Sequence, residues 1–211
     1  NNKTRSVQPL GNSMSYAYDP LNRVTQITDG ENNLTRFGYD KNDNQVSHTD
    51  ANNNIVNYDY DALDRRTKHT QPNGLVTTSS FDPENNMTGR VDQNGQSFTY
   101  EYDAINRQIK QTFPNVQSEY MQIQETTTSY DANNNPTNIT ENKLNTILGL
   151  PQIDISKMEY DLLDRKIQEA QRGHMISYSY DDNGNRLNVT SQGGSTDYTF
   201  DSRNRLTTAA T

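Results

Sequence analysis

The chemically versatile residues of this 211-residue chain are carboxylates and amides that recur at fixed spacing. Asp-x-Asn-x-Asn occurs at Asp40-Asn42-Asn44, Asp131-Asn133-Asn135 and Asp181-Asn183-Asn185, the spacing with which a calcium loop begins. Such a loop also needs glycine at its sixth position and a bidentate glutamate at its twelfth. No glycine stands at the sixth, and the twelfth residues are Ala51, Asn142 and Gln192. Asx side chains that cap tight turns without an ion account for the pattern better. The histidines His48, His69 and His174 lack the further His or Cys ligands that zinc requires, since the chain has no cysteine. They read as solvated strand residues. No carboxylate sits isolated among apolar neighbours, where burial would raise its pKa. Serine has no Gly-x-Ser-x-Gly setting and lysine no phosphate loop. The expectation is a protein without catalytic residues, metal or cofactor.

The carboxylates belong to a repeat. An aromatic followed by Asp occurs at Tyr18-Asp19, Tyr39-Asp40, Tyr60-Asp61, Phe81-Asp82, Tyr102-Asp103, Tyr130-Asp131, Tyr160-Asp161, Tyr180-Asp181 and Phe200-Asp201, at spacings of 21, 21, 21, 21, 28, 30, 20 and 20 residues. Six units carry a second aromatic two residues earlier: Tyr16, Phe37, Tyr58, Tyr100, Tyr178 and Tyr198. Positions two apart share one face of a strand, so each motif reads as a strand end. Pro, Ala, Asn, Asp and Gly then make a turn, and a Val/Ile/Thr/Leu strand follows. Examples are Arg23 to Thr28 and Asn185 to Thr190. A second turn closes the unit, as at Asp29-Gly30-Glu31-Asn32, Pro72-Asn73-Gly74, Asn94-Gly95 and Gln192-Gly193-Gly194-Ser195. The fold class is therefore all-β, built of stacked antiparallel hairpins.

Four residues after each Asp the chain alternates without exception: Arg23, Asn44, Arg65, Asn86, Arg107, Asn135, Arg165, Asn185 and Arg205. Two residues before the Arg stands an apolar residue in most units (Leu21, Leu63, Ile105, Leu163), and two before the Asn stands Asn or Glu (Asn42, Glu84, Asn133, Asn183). The true period is a pair of hairpins. An Arg stacked on a Tyr of the neighbouring hairpin and bonded to a turn carbonyl would lock units in register, a role worth on the order of 1 kcal/mol.

Composition argues against an ordinary globule. Only 29% of the chain is apolar, with 28 Asn, 24 Thr, 13 Tyr, five Phe and no Trp, where soluble domains run to about 45–50% apolar. Burial must come largely from tyrosine rings with one wet edge. A net charge of -8 offers no basic stripe, which weighs against nucleic acid and anionic membrane as partners. No apolar run reaches membrane-spanning length, so membrane insertion is not expected. The Asn-x-Ser/Thr sequons at Asn2, Asn33, Asn86, Asn138 and Asn188 are as frequent as chance provides.

Residues 1–15 read as an incomplete unit whose closing turn is Gly11-Asn12-Ser13 and whose partner strand lies upstream. The expanded repeats fall at 103–159: residues 112–129, including Tyr120-Met121-Gln122-Ile123, read as a taller hairpin. The apolar stretch Ile147-Leu148-Gly149-Leu150-Pro151-Gln152-Ile153-Asp154-Ile155 is expected to fold back over a sheet face, or else to dock a partner. Residues 1–211 form a single repeat array, read as a fragment of something longer. About eighteen strands would span some 80 Å, and open sheets of that width curl.

These residues resemble the YD-repeat, or Rhs-repeat, family. Tyr180-Asp181-Asp182-Asn183-Gly184-Asn185-Arg186 and Tyr60-Asp61-Ala62-Leu63-Asp64-Arg65 match its Tyr-Asp turn closely, and the likeness covers essentially the whole chain. The family includes bacterial polymorphic toxins, insecticidal toxin complexes and teneurin adhesion proteins. The resemblance implies a sheet that spirals into a hollow shell, which in the toxins encloses a C-terminal effector. Nothing after Phe200 resembles the autoproteolytic core or toxin that follows the repeats in those members. The expected function is a non-catalytic shell segment of an exported bacterial protein, secreted or at the cell surface. Its partners would be its own flanking repeats and an enclosed C-terminal polypeptide, with self-association of the isolated chain through exposed edge strands. The alternative is an extracellular adhesion module in which tyrosine-rich faces hold glycans.

Overall fold

The computed structural model describes residues 2, 4–7, 13–114, 121–145 and 147–211, which hold nineteen strands and no helix. The chain divides into two compact units, Asn1–Ser97 and Phe98–Thr211.

The first unit holds β1 (Arg5–Val7), β2 (Ser13–Tyr18), β3 (Val24–Thr28), β4 (Leu34–Tyr39), β5 (Gln45–Thr49), β6 (Ile55–Tyr60), β7 (Arg66–Thr70), β8 (Val76–Phe81) and β9 (Met87–Val91). Each strand pairs antiparallel with the next in sequence. From β2 onward strands of six and five residues alternate, joined at both edges by five-residue turns, which accounts for the 21-residue period. The expected turn at Gly11-Asn12 lies outside the described residues.

The second unit holds β10 (Ser97–Tyr102), β11 (Gln108–Thr112), β12 (Met121–Tyr130), β13 (Pro136–Asn145), β14 (Leu150–Tyr160), β15 (Lys166–Gln171), β16 (His174–Tyr180), β17 (Arg186–Ser191), β18 (Gly194–Phe200) and β19 (Leu206–Ala210). It too is antiparallel and sequential. The 20-residue spacing arises because two-residue turns replace the five-residue ones at one edge. Arg172 and Gly173 carry φ of 50° and 78°, the signature of a type I′ turn, between the paired Gln171 and His174. The expanded repeats are the long strands β12, β13 and β14, of ten, ten and eleven residues. Of the stretch read as their extension, residues 115–120 lie outside the described residues.

The apolar stretch at 147–155 does not fold back over the sheet. Ile147–Gly149 form a turn and Leu150–Ile155 are the outer half of β14, paired with β13 from Leu150↔Asn145 onward. Its apolar side chains are exposed, 74% at Ile147 and 63% at Ile153. Backbone bonding decides this: a strand beside β13 satisfies N–H and C=O groups that a loop laid over a face would leave unpaired. The core is correspondingly thin. Met158, 8% exposed, is the one buried hydrophobic side chain among the described residues.

Candidate functional site

The site is the row of aromatic-Asp turns along one edge of each unit. In the first, Asp19 N–H donates to the Arg23 carbonyl and Asn22 N–H to the Asp19 carbonyl, each at 3.0 Å. The loop Pro20-Leu21-Asn22 is thus a type I turn followed by a left-handed residue, Asn22, with φ of 65°. Proline suits the second turn position, and Asn or Gly tolerates the left-handed one. The same conformation recurs at Asp43, Asp64, Asn85, Asn106, Asn134, Asp164, Gly184 and Asn204.

Aspartate holds the turn from inside. Asp19 Oδ1 accepts from the Leu21 and Arg23 N–H groups at 3.0 Å, and Oδ2 accepts from Arg23 Nε at 2.7 Å. Arg65, Arg107, Arg165 and Arg205 bind Asp61, Asp103, Asp161 and Asp201 in the same way. In the alternate units the amide of Asn44, Asn86, Asn135 or Asn185 replaces the guanidinium on Asp40, Asp82, Asp131 or Asp181. One carboxylate therefore caps two backbone donors and anchors the fourth residue on.

That fourth residue then reaches the next hairpin. Arg23 Nη1 donates to the Asp40 carbonyl at 2.8 Å and to Asp43 Oδ1 at 2.7 Å, and its guanidinium lies 4.7 Å from the centre of the Tyr39 ring. Arg65 bonds the Asp82 carbonyl and Asn85 and stacks on Phe81 at 4.8 Å; Arg107 bonds the Asp131 carbonyl and Asn134 and stacks on Tyr130 at 4.6 Å. Arg165 bonds the Asp181 carbonyl and stacks on Tyr180 at 4.8 Å; Gly184 supplies no side chain for a further bond. The shorter Asn reaches only the left-handed residue of the next turn: Asn44 to Asp64, Asn135 to Asp164 and Asn185 to Asn204, at 2.6, 2.7 and 3.0 Å. Asn42 and Asn133 add a second donor to Asp64 and Asp164. This gives a physical reason for Asn two residues before Asn44 and Asn135.

The ring before the Asp ties in the opposite direction. The hydroxyls of Tyr60, Tyr130, Tyr160 and Tyr180 donate to the carbonyls of Gln45, Gln108, Pro136 and Lys166, each one residue beyond an Arg or Asn of the row. Asn2, missed in the sequence reading, belongs to the row: its amide donates to Asn22 Oδ1 at 2.8 Å. Its signal was available, since it stands one 21-residue period before Arg23.

The turn carboxyls are held below the usual aspartate range. At Asp19, Asp103, Asp131, Asp161 and Asp201 the foremost cause is the backbone N–H of the fourth residue on. At Asp40 and Asp181 it is the side-chain amide of Asn44 and Asn185. At Asp61 and Asp82 partial burial is the largest influence and acts upward, but the hydrogen bonds together outweigh it.

The Asp40, Asp131 and Asp181 carboxylates, considered above for calcium, spend both oxygens on these turns. No group of three His, Cys, Asp or Glu residues is arranged to hold a metal among the described residues. His48 stacks on Phe37 and His69 on Tyr58, with ring centres 5.2 and 5.3 Å apart, each across a strand pair. A second cluster, on the tall hairpin, was not foreseen. Asp154, 6% exposed, accepts from Lys143 at 2.8 Å, from Gln152 at 3.0 Å and from Arg172 Nε at 2.9 Å. Lys143, then Gln152 and Arg172, hold its carboxyl far below the ordinary range.

Fold and row together define a β-hairpin repeat protein in which neighbouring turns are clasped by side chains. Residues 39–78 match the RHS Repeat family model. No curated protein matches the sequence. Among solved structures, the chain is similar to a TcdB2-TccC3-Cdc42 crystal structure with 13% identity and a TM-score of 0.61, covering 95% of this chain and 12% of that one. A TcdB2-TccC3 crystal structure gives 14% identity and a TM-score of 0.60 over 94% of this chain and 12% of that one. The Photorhabdus luminescens Tc holotoxin pore gives 13% and 0.57 over 93% and 13%. The fold is therefore one found in Tc toxin proteins, and this chain spans about an eighth of their length.

Proposed function

We propose that this chain is a non-catalytic wall section of a larger exported protein that encloses a polypeptide. The observation that carries the reading is the clasp row. Within each unit, a hairpin is fastened to the next by an Arg or Asn already anchored on its own turn Asp, so hairpins can be added without a growing core. Such units contact chiefly their neighbours, which is the energetic arrangement of repeat arrays. Sheets with one buried hydrophobic side chain among the described residues suit a partition better than a globule. The likeness to Tc toxin structures supports the same reading.

Limited proteolysis of the longer protein that carries these repeats tests it. Fragments are followed by mass spectrometry while the repeats are held native and then unfolded in denaturant. Enclosure predicts that a segment outside the repeats survives until they unfold. Digestion of all other segments while the repeats stay intact would rule enclosure out.

A further inference from the structure

Asparagine followed by glycine occurs at Asn73-Gly74, Asn94-Gly95 and Asn183-Gly184, each pair exposed in a five-residue turn. In such a pair the backbone nitrogen of the glycine can attack the carboxamide carbon of the asparagine, since no Cβ obstructs its approach. The three turns share a backbone. Gly74, Gly95 and Gly184 are left-handed, with φ of 84°, 77° and 85°. Their N–H groups donate to the carbonyls of Gln71, Asp92 and Asp181 at 2.9, 2.9 and 3.1 Å. The nucleophile is therefore restrained alike in all three, and the carboxamide decides between them.

The residue that opens the turn sets the state of that carboxamide. Asp92 accepts through Oδ1 from the N–H groups of Asn94 and Gln96, and Asp181 from those of Asn183 and Asn185. Those two turns leave no donor for the carboxamide oxygen of Asn94 or Asn183 among the described residues. In the turn 71–75 the opening residue is Gln71, whose side-chain amide donates instead to Gln93 of the neighbouring turn at 2.7 Å. The Leu75 N–H, left without a carboxylate, donates to Asn73 Oδ1 at 3.1 Å. That bond folds the Asn73 side chain over the Gly74 peptide. It also draws electron density from the carboxamide carbon, as a backbone N–H does at a developing oxyanion. A Cβ built on Gly74 would meet nothing within 4 Å, so water and hydroxide reach the pair freely.

We infer that Asn73-Gly74 is a self-modifying site, at which the folded chain converts Asn73 to aspartate and isoaspartate with water as the only co-reactant. The Gly74 nitrogen loses its proton to hydroxide as its bond to the Gln71 carbonyl opens, and forms a bond to Asn73 Cγ. The Cγ–Nδ2 bond breaks and that nitrogen leaves as ammonia, closing a succinimide ring. Water then opens the ring at either carbonyl. Cleavage between the Gly74 nitrogen and Cγ leaves an ordinary aspartate. Cleavage between that nitrogen and the backbone carbon leaves isoaspartate, joined to Gly74 through its side chain. The aspartate keeps an acceptor for the Leu75 N–H, whereas isoaspartate adds a backbone atom to the turn between β7 and β8. Either product adds a negative charge.

The three pairs fall in separate tryptic peptides, 69–90, 91–107 and 173–186. One sample of the chain, incubated folded at mildly alkaline pH, therefore compares them by mass spectrometry, with isoaspartate read by isoaspartyl methyltransferase labelling. Asn73 is expected to deamidate about fivefold faster, or more, than Asn94 or Asn183. In the chain unfolded in urea the three rates are expected to agree within about twofold, because the turns that distinguish them are gone. Gln71→Asp supplies the carboxylate of the other turns, takes the Leu75 N–H, and should slow Asn73 by about threefold or more with circular dichroism unchanged. Equal rates in the folded chain, or a faster Asn94 or Asn183, would overturn the inference. So would the same order in the unfolded chain, which would assign it to the flanking residues, or a Gln71→Asp variant whose Asn73 reacts like the parent's.

Discussion

Replacing Arg65 with alanine removes the internal bond to Asp61 and every link that Arg65 makes to the next hairpin. Its side chain is 19% exposed, so these contacts are only partly screened by water. The stack on the Phe81 ring at 4.8 Å is worth about 1 kcal/mol. The bonds from Nη1 to the Asp82 carbonyl at 2.6 Å and to Asn85 at 3.0 Å would each contribute about 1.5 kcal/mol if sheltered. Water can reach the groups left behind, which cuts that part to about a third, so the net loss is about 2 kcal/mol. This exceeds the figure expected from stacking alone because Arg65 also bonds the neighbouring turn. With a urea dependence of about 2 kcal/mol per molar for a chain of this size, the midpoint falls by about 1 M. The loss is local to one junction, so amide exchange in the Asp82–Asn86 turn accelerates by up to about thirtyfold. Arg65→Lys keeps the charge but not the planar fork, and restores less than half of the loss. A variant whose urea midpoint and turn exchange equal those of the parent would refute the clasp as a source of stability.

The depressed Asp carboxyls predict acid sensitivity. A carboxyl whose folded pKa lies below its unfolded value contributes stability that is complete above the unfolded pKa, near 4, and lost as pH falls through the folded one. With Asp19, Asp40, Asp61, Asp103, Asp131 and Asp181 all shifted downward, the urea midpoint should be flat between pH 7 and 5 and drop steeply below about pH 4. A midpoint that rises on acidification would contradict this. Two left-handed residues of nearly equal φ should respond oppositely to glycine. Asn53, at 64°, has no side-chain bond among the described residues, so Asn53→Gly should stabilise by about 0.5 kcal/mol. Asp64, at 60°, accepts from Asn42 and Asn44, so Asp64→Gly should cost about 1 kcal/mol in thermal or urea unfolding. Lys143→Met leaves the buried Asp154 with Arg172 and Gln152 alone. It should cost about 2–3 kcal/mol and raise the Asp154 pKa, readable by carbon NMR of that carboxyl.

The repeat could be read before any coordinates because it is written locally. Turn type follows from Asp, Pro, Asn and Gly at fixed offsets, and strand faces follow from residues two apart. Even the change from 21 to 20 residues corresponds to a change of turn at one edge. The alternation of Arg23, Asn44, Arg65 and Asn86 was equally visible, and so was the reach of an Arg toward the neighbouring ring. The turn carbonyl it bonds was foreseen too, but the side-chain partners of the clasp were not. Asp43, Asn85 and Asp164 receive bonds from residues some twenty or more positions away, and only packing of adjacent hairpins brings them together. Asn2 was overlooked because the motif around it is incomplete. The stretch from Ile147 to Ile155 was misjudged because hydrophobicity alone does not say whether a segment lies over a sheet or extends it. The choice rests on where its backbone finds hydrogen-bond partners, and β13 offers them. The Asp154 cluster likewise joins β13, β14 and the Arg172 turn, a meeting set by strand register. Local chemistry thus specified each hairpin, while the links between hairpins came from their order in space.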